Sequence, residues 1–258
     1  MNDRFEFGLA LVREAGKVAL EYFNARDQLT IQNKGPQDLA SEADVNTELL
    51  IRERLSKAFP QDAFLGEETQ PTEYTAGQGI WVVDPIDGTQ PFLLGLPTWC
   101  VSIAYVQASD IVIGVIYNPV TDELYSARRG HGATLDDVRM HVSSARHLSE
   151  GLTGLGCSSR TSPQDLGSMA EQLLAAGGMF HRVGSGALTL AYVATGQLIG
   201  YIETHINAWD CLAAILLVEE AGGRATAFLA DHGVTGAGPL VASAPGVFDE
   251  LCAILPSD

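Results

Sequence analysis

The chain has 258 residues, is 46% hydrophobic, and carries 32 acidic against 15 basic residues, a formal charge of −17. That length buries a sizeable core and that composition excludes a disordered chain, while the charge repels nucleic acid and anionic membrane, and repels a phosphorylated ligand too unless bound cations reverse its sign locally. Cys100, Cys157, Cys211 and Cys252 form no C-x-x-C pair, and the histidines show no H-x-x-x-H spacing, against a disulfide framework and a zinc site.

Phe7, Leu11, Ala15, Val18 and Tyr22 recur at spacings of four and three, which predicts an amphipathic first helix. Asp3, Arg4 and Glu6 before it interrupt any signal-peptide core, and no window approaches 18 apolar residues, so a cytoplasmic protein without a membrane span is expected. A polar connection follows over 32–38. A second helix starts near Ser41 and runs toward Phe59-Pro60; Ser41 and Asp44 have capping-box spacing, a sufficient structural reason for Asp44. Glu67 and Glu68 sit in a loop, where they suit a solvated face equally well. Residues 80–83 are a β-branched apolar run, the mark of a buried strand. The run ends on Asp84-Pro85-Ile86-Asp87-Gly88-Thr89: two carboxylates three positions apart, then a glycine that permits a tight turn. A strand ending this way suits a hard cation and the phosphate it carries, although Asp-Gly is also a common turn.

Residues 100–106 and 111–117 read as two strands of an antiparallel meander turning at Asn118-Pro119, with a further strand over 123–127. Beyond about residue 150 the texture changes. Helical patterns over 164–176, 187–194 and 209–221 alternate with short apolar runs at 180–183, 198–202 and 240–242, which suggests α/β layering. The expected organisation is one unit over 1–258, with an α+β half (1–150) fused to an α/β half (151–258).

Glu67, Asp84, Asp87 and Asp210 are the candidate ligand set, with the Ile86 carbonyl beside them. Two carboxylates about 5 Å apart repel by roughly 3 kcal/mol at an effective dielectric near 20. Gathering several therefore needs cations, and an all-oxygen set points to Mg²⁺ or Mn²⁺. Asp210 also stands at the start of a predicted helix, where favourable interaction with the macrodipole is its simplest role.

The sequence resembles the inositol monophosphatase family of lithium-sensitive, magnesium-dependent phosphatases. The matching segments are Asp38-Leu39-Ala40-Ser41-Glu42-Ala43-Asp44, Gly66-Glu67-Glu68, residues 81–89 with Phe92, Gly95 and Pro97, and Ser102-Ile103-Ala104. Later come Gly130-His131-Gly132-Ala133, Arg182-Val183-Gly184-Ser185, Glu203, Trp209-Asp210 and Glu220-Ala221-Gly222-Gly223. They keep the family's order from about residue 30 to 225.

This resemblance implies the layered α/β/α/β/α sandwich of that family, usually a homodimer, with two to three Mg²⁺ ions. Glu67, Asp84 and the Ile86 carbonyl would hold one ion, and Asp84, Asp87 and Asp210 a second; a looser third would sit near Glu67. The implied catalytic set is Thr89, Asp44 and Glu68, with Thr89 and Asp44 polarising the attacking water and no covalent enzyme intermediate. Phosphate oxygens would be gripped by the N–H groups of Gly88 and Thr89. Glu203, Ser185 and Gly186 match groups facing the alcohol, Ser158-Ser159-Arg160-Thr161 matches a further substrate-side loop, and Lys34 matches a lysine near the outer metal. Pro91 replaces the usual asparagine; it lacks an N–H but is tolerated in a helix's first turn. Asp136-Asp137 replaces an Asn-Gly turn.

The activity implied is hydrolysis of a small phosphate monoester, inositol 1-phosphate by default. Histidinol phosphate is a rival, and fructose 1,6-bisphosphate and 3′-phosphoadenosine 5′-phosphate are weaker ones. A regulatory binding protein is the alternative from another class. The charge and the lack of a Lys/Arg cluster argue against direct nucleic-acid contact.

Overall fold

The computed structural model describes residues 1–35, 38–75 and 77–256, and the side chains of 32–39 lie outside that description. Among the described residues are eight α-helices and fourteen strands in three sheets. The first half runs α1 (Asn2–Asn24), β1 (Ile31–Gly35), β2 (Asp38–Ser41), α2 (Glu42–Ala58), β3 (Ala63–Gly66), β4 (Ile80–Asp87), α3 (Thr89–Leu94), β5 (Cys100–Gln107), β6 (Asp110–Asn118), β7 (Glu123–Arg128), β8 (Gly132–Leu135) and β9 (Val138–Arg139). The second runs β10 (Leu152–Leu155), α4 (Pro163–Ala175), β11 (Met179–His181), α5 (Gly186–Ala194), β12 (Gly200–Asn207), α6 (Ala208–Glu220), β13 (Arg224–Ala225), α7 (Phe228–His232), β14 (Ala237–Ser243) and α8 (Phe248–Ile254).

The strands β3 to β9 form one sheet in chain order, antiparallel except for the parallel β3–β4 pair. The second sheet has the order β11-β10-β12-β14-β13, with β10 parallel to both neighbours. Period-two alternation sends each strand's side chains to two cores. Trp81 and Val83 of β4 pack with Leu11, Val12, Ile51 and Leu55 of α1 and α2. Ile80 and Val82 join α5, α6, Tyr201 and Leu240 on the opposite face. Ile202 and Val241 meet Met169, Leu173 and Leu251 of α4 and α8 beyond the second sheet. The result is five layers, α/β/α/β/α, with α5 and α6 as the shared middle.

Several boundaries shift from the sequence reading. The buried seam of α1 is Gly8, Leu11, Val12, Ala15, Gly16, Ala19 and Phe23, because small residues let the helix lie close to the sheet. Phe7, Val18 and Tyr22 are half-buried at its border. The polar connection at 32–38 overlaps β1 and the start of β2, an antiparallel pair. Pro91 sits in the first turn of α3, buried, with the helix closed by Phe92 N–H donating to the Gly88 carbonyl at 3.0 Å. Asp136 and Asp137 adopt φ of 46° and 66°, the left-handed pair that a tight hairpin turn demands. No described helix is long and apolar enough to cross a membrane.

Candidate active site

Residues 84 and 87 are an odd number apart and would face opposite sides of a regular strand. Asp84 pairs with Ser102 and Asp87 with Cys100, so β4 carries one extra residue between those two pairs. This bulge turns both carboxylates into one cleft. Pro85 lies inside it, between the β5 pairings and beyond the last β3 pairing at Val83, where the ladder needs no N–H. Gly88 follows with φ of +99°, a left-handed conformation in which a Cβ would also stand 3.0 Å from the Thr98 carbonyl. The chain then enters α3 at Thr89.

Two further helices deliver carboxylates to the same place by their capping boxes. Ser41 caps α2, and Asp44 Oδ2 accepts from the Ser41 N–H at 2.8 Å and hydroxyl at 2.7 Å. Its other oxygen, Oδ1, accepts from Thr89 Oγ1 at 3.4 Å. The capping role and the contact with Thr89 therefore coexist on one side chain. Thr89 Oγ1 also stands 3.3 Å from the Ile86 carbonyl. Asn207 caps α6, and Asp210 Oδ2 accepts from the Asn207 N–H and amide at 3.1 and 3.0 Å.

One carboxylate oxygen each of Glu67, Asp84 and Asp210 lies within 4.8 Å of the other two. Burial holds Asp84 well above the usual carboxylate range, and the charges of Glu67, Asp87 and Asp210 push it further. Burial raises Asp210 as well, against the hydrogen bonds it accepts from Asp84 and Asn207. Asp44 is pushed up to about 6 by burial, against its bonds from Ser41. An oxygen-only donor set that must otherwise retain protons fits a hard divalent cation.

Asp87 is turned differently. Its carboxylate accepts from the Ser185 hydroxyl and from the N–H groups of Gly186 at 3.3 Å and Ala187 at 2.6 Å, at the start of α5. Burial raises it to about 7, with Asp210's charge adding and these bonds opposing. Ser185 and Gly186 are thus occupied with Asp87. Glu68 is half-buried, and its charge raises Asp44. The Lys34 side chain falls outside the described residues.

The cleft, about 340 Å³, adjoins a recess of about 160 Å³ that shares Asp87, Cys157, Ser158, Arg182 and Gly184 with it. Both open at the carboxyl ends of β10, β11 and β12, where α/β sheets place their ligands. Glu203 projects into the recess, 5% exposed, pushed up to about 8 by burial against the hydrogen bond it accepts from the Tyr201 hydroxyl. Tyr201 went unnoticed in the sequence; its signal was position, two residues before Glu203 and so on the same strand face. Arg160 donates to Asn207 Oδ1 at 3.0 Å and Arg182 to the Cys157 carbonyl at 3.3 Å. Both line the cleft, giving an acidic molecule two cations at its mouth.

Comparison with known proteins supports the same grouping. Residues 2–256 match the model of the inositol monophosphatase family. The chain is 41% identical over 223 residues to an inositol-1-monophosphatase of Rhizobium meliloti, covering 83% of this chain and 82% of that protein. It is 34% identical over 254 residues to a protein of Haemophilus influenzae named Nus factor SuhB, covering 97% and 95%. The crystal structure of the extragenic suppressor protein suhB from Bartonella henselae superposes with a TM-score of 0.90 at 33% identity, over 98% of both chains. Relatives that carry a name other than phosphatase lend no support to the expected absence of nucleic-acid contact. Sequence, layering and acidic cluster agree: this chain belongs to the inositol monophosphatase family.

Proposed function

We propose that the protein hydrolyses a small phosphate monoester in a Mg²⁺-dependent reaction, with inositol 1-phosphate or a related polyol or sugar phosphate as substrate. The observation that carries this reading is the convergence of Glu67, Asp84 and Asp210 on one point beside the Asp44–Thr89 pair. Glu67, Asp84 and the Ile86 carbonyl would hold one ion, Asp84, Asp87 and Asp210 a second, and a third would lie near Glu67. Bound Mg²⁺ would supply the positive charge that admits a phosphoryl group to an anionic cleft and acidifies water there.

The chain's own groups account for the proton. Asp44, pushed up to about 6 by burial, is an anion at neutral pH and holds the Thr89 proton. That leaves a lone pair on Thr89 Oγ1 to take a proton from water as its oxygen attacks phosphorus in line. Glu68 adds negative charge beside Asp44 and favours proton transfer toward it. The new P–O bond forms as the ester P–O bond breaks, and the leaving oxygen departs on the opposite side as an alkoxide that takes a proton from solvent, while Asp44 returns its proton to solvent. Gly88 and Thr89 line the cleft, and their N–H groups would suit the phosphate oxygens. Glu203 faces the leaving alcohol, with Ser185 and Gly186 beside it in the recess, where its carboxyl oxygens can accept from hydroxyls.

Phosphate release from inositol 1-phosphate, histidinol phosphate, fructose 1,6-bisphosphate and 3′-phosphoadenosine 5′-phosphate tests the assignment. Mg²⁺-dependent release with the highest kcat/KM for inositol 1-phosphate is expected. A preference for histidinol phosphate would move the substrate, and no release from any ester would refute the activity.

The SuhB-named relatives favour a second reading, a regulatory binding protein. It predicts that an Asp84→Asn variant, inactive as a phosphatase, still recovers a stoichiometric partner and retains the biological role. The phosphatase reading carries a cytoplasmic homodimer as its expected form.

A further inference from the structure

The helix α2 carries a carboxylate that the cluster above does not include. Glu48 lies one turn after Asp44 on the same stripe as Ile51 and Leu55, and it is fully buried. Burying a carboxylate is costly unless its oxygens are satisfied, and an apolar side chain would fill this stripe without that cost. Both oxygens of Glu48 are spent on one loop. Oε2 accepts from the Glu68 N–H and Oε1 from the Thr69 N–H, each at 2.8 Å. The carboxylate also packs against Gly66, where a Cβ would stand 2.2 Å from Glu48 Cδ.

We propose that Glu48 is the positioning residue of the metal loop, a role that rests on the metal-dependent reading given above. It accepts from the backbone at residues 68 and 69 and packs against Gly66, so that it touches the chain on both sides of Glu67, whose carboxylate lies by Asp84 and Asp210. The strand β3 ends at Gly66, so the loop's N–H groups have no ladder to join. Glu48 replaces that ladder. Arg52, one turn further along α2, continues the grip by donating to Thr69 Oγ1 and the Gln70 carbonyl at 2.9 Å each. One helix thus reaches Thr89 through Asp44 and fixes the approach of Glu67 through Glu48, so the two parts of the site keep a common spacing.

The test uses the full-length protein and Mn²⁺ alone, titrated by the electron paramagnetic resonance of free Mn²⁺. In Glu48→Gln an amide NH₂ faces one of the two backbone donors. Its Mn²⁺ Kd should rise about 10–100-fold, as for groups that orient metal ligands, with activity recovered at high Mg²⁺ and an unchanged circular dichroism spectrum. Amide exchange of Glu68 and Thr69 in the metal-free wild type should be slow, and fast in the variant. A folded Glu48→Gln with wild-type Kd, beside a Glu67→Gln control that loses affinity, overturns the role of Glu48 alone. Unprotected Glu68 and Thr69 amides in the wild type overturn it without any variant. A Glu67→Gln control that binds Mn²⁺ normally overturns the metal reading, and this proposal with it.

Discussion

Thr89 illustrates how little separates a structural hydroxyl from a reactive one. Its oxygen stands 3.4 Å from an Asp44 oxygen and 3.3 Å from the Ile86 carbonyl, two acceptors for a single proton. Only the carboxylate competes for that proton in a way that changes with protonation. Thr89→Ala should therefore lower kcat by about 10²–10⁴-fold, the range for positioned proton transfer, with KM nearly constant in steady-state assays; a proportional rise in KM would mean Thr89 only binds. Such residues were legible in the sequence because a short motif fixes them. Asp84, Asp87 and Thr89 lie within six residues on one strand end and the following turn. Glu48 was not legible, because its partner is a loop backbone 20 residues away that only folding brings to it. Tyr201 had only its place two residues before Glu203 to mark it, and the recess they line is enclosed by folding.

The element that packs between the two larger sheets is α6. Its first turn carries Asp210, and its body lies on the large sheet so closely that a Cβ on Gly114 of β6 would fall 2.3 Å from the Ala213 carbonyl oxygen. Gly114→Ala should cost about 1–3 kcal/mol by overpacking, read by denaturant unfolding, and should weaken Mg²⁺ binding because α6 lifts with Asp210. An unchanged unfolding midpoint would show that the contact is slack. The first helix was readable from its periodicity, α2 from its capping-box spacing, and β4 to β7 from apolar, β-branched runs and the turn at Asn118-Pro119. β3 and β10 were not: Ala63–Gly66 and Leu152–Leu155 are four residues each, too short for a period to register. The bulge in β4 was equally hidden, since only pairing with β5 reveals the extra residue.

For the molecule as a whole, the five layers concentrate carboxylates at the meeting of two sheets in a chain already at −17. Asp44, Asp87 and Glu203 are raised to about 6, 7 and 8 in the folded state, above the unfolded range near 4. The native state then binds more protons than the unfolded chain, so stability falls as pH rises through that window. Without metal, Tm should decline between about pH 4 and 8, and added Mg²⁺ should restore more of it at pH 8 than at pH 5. Equal Mg²⁺ gains at both pH values would contradict the linkage. The most direct measurement is anomalous diffraction from crystals grown with Mn²⁺. A peak should appear among the carboxylates of Glu67, Asp84 and Asp210, with a second adjoining Asp87; strong peaks elsewhere and none at this cluster would contradict the metal-dependent site.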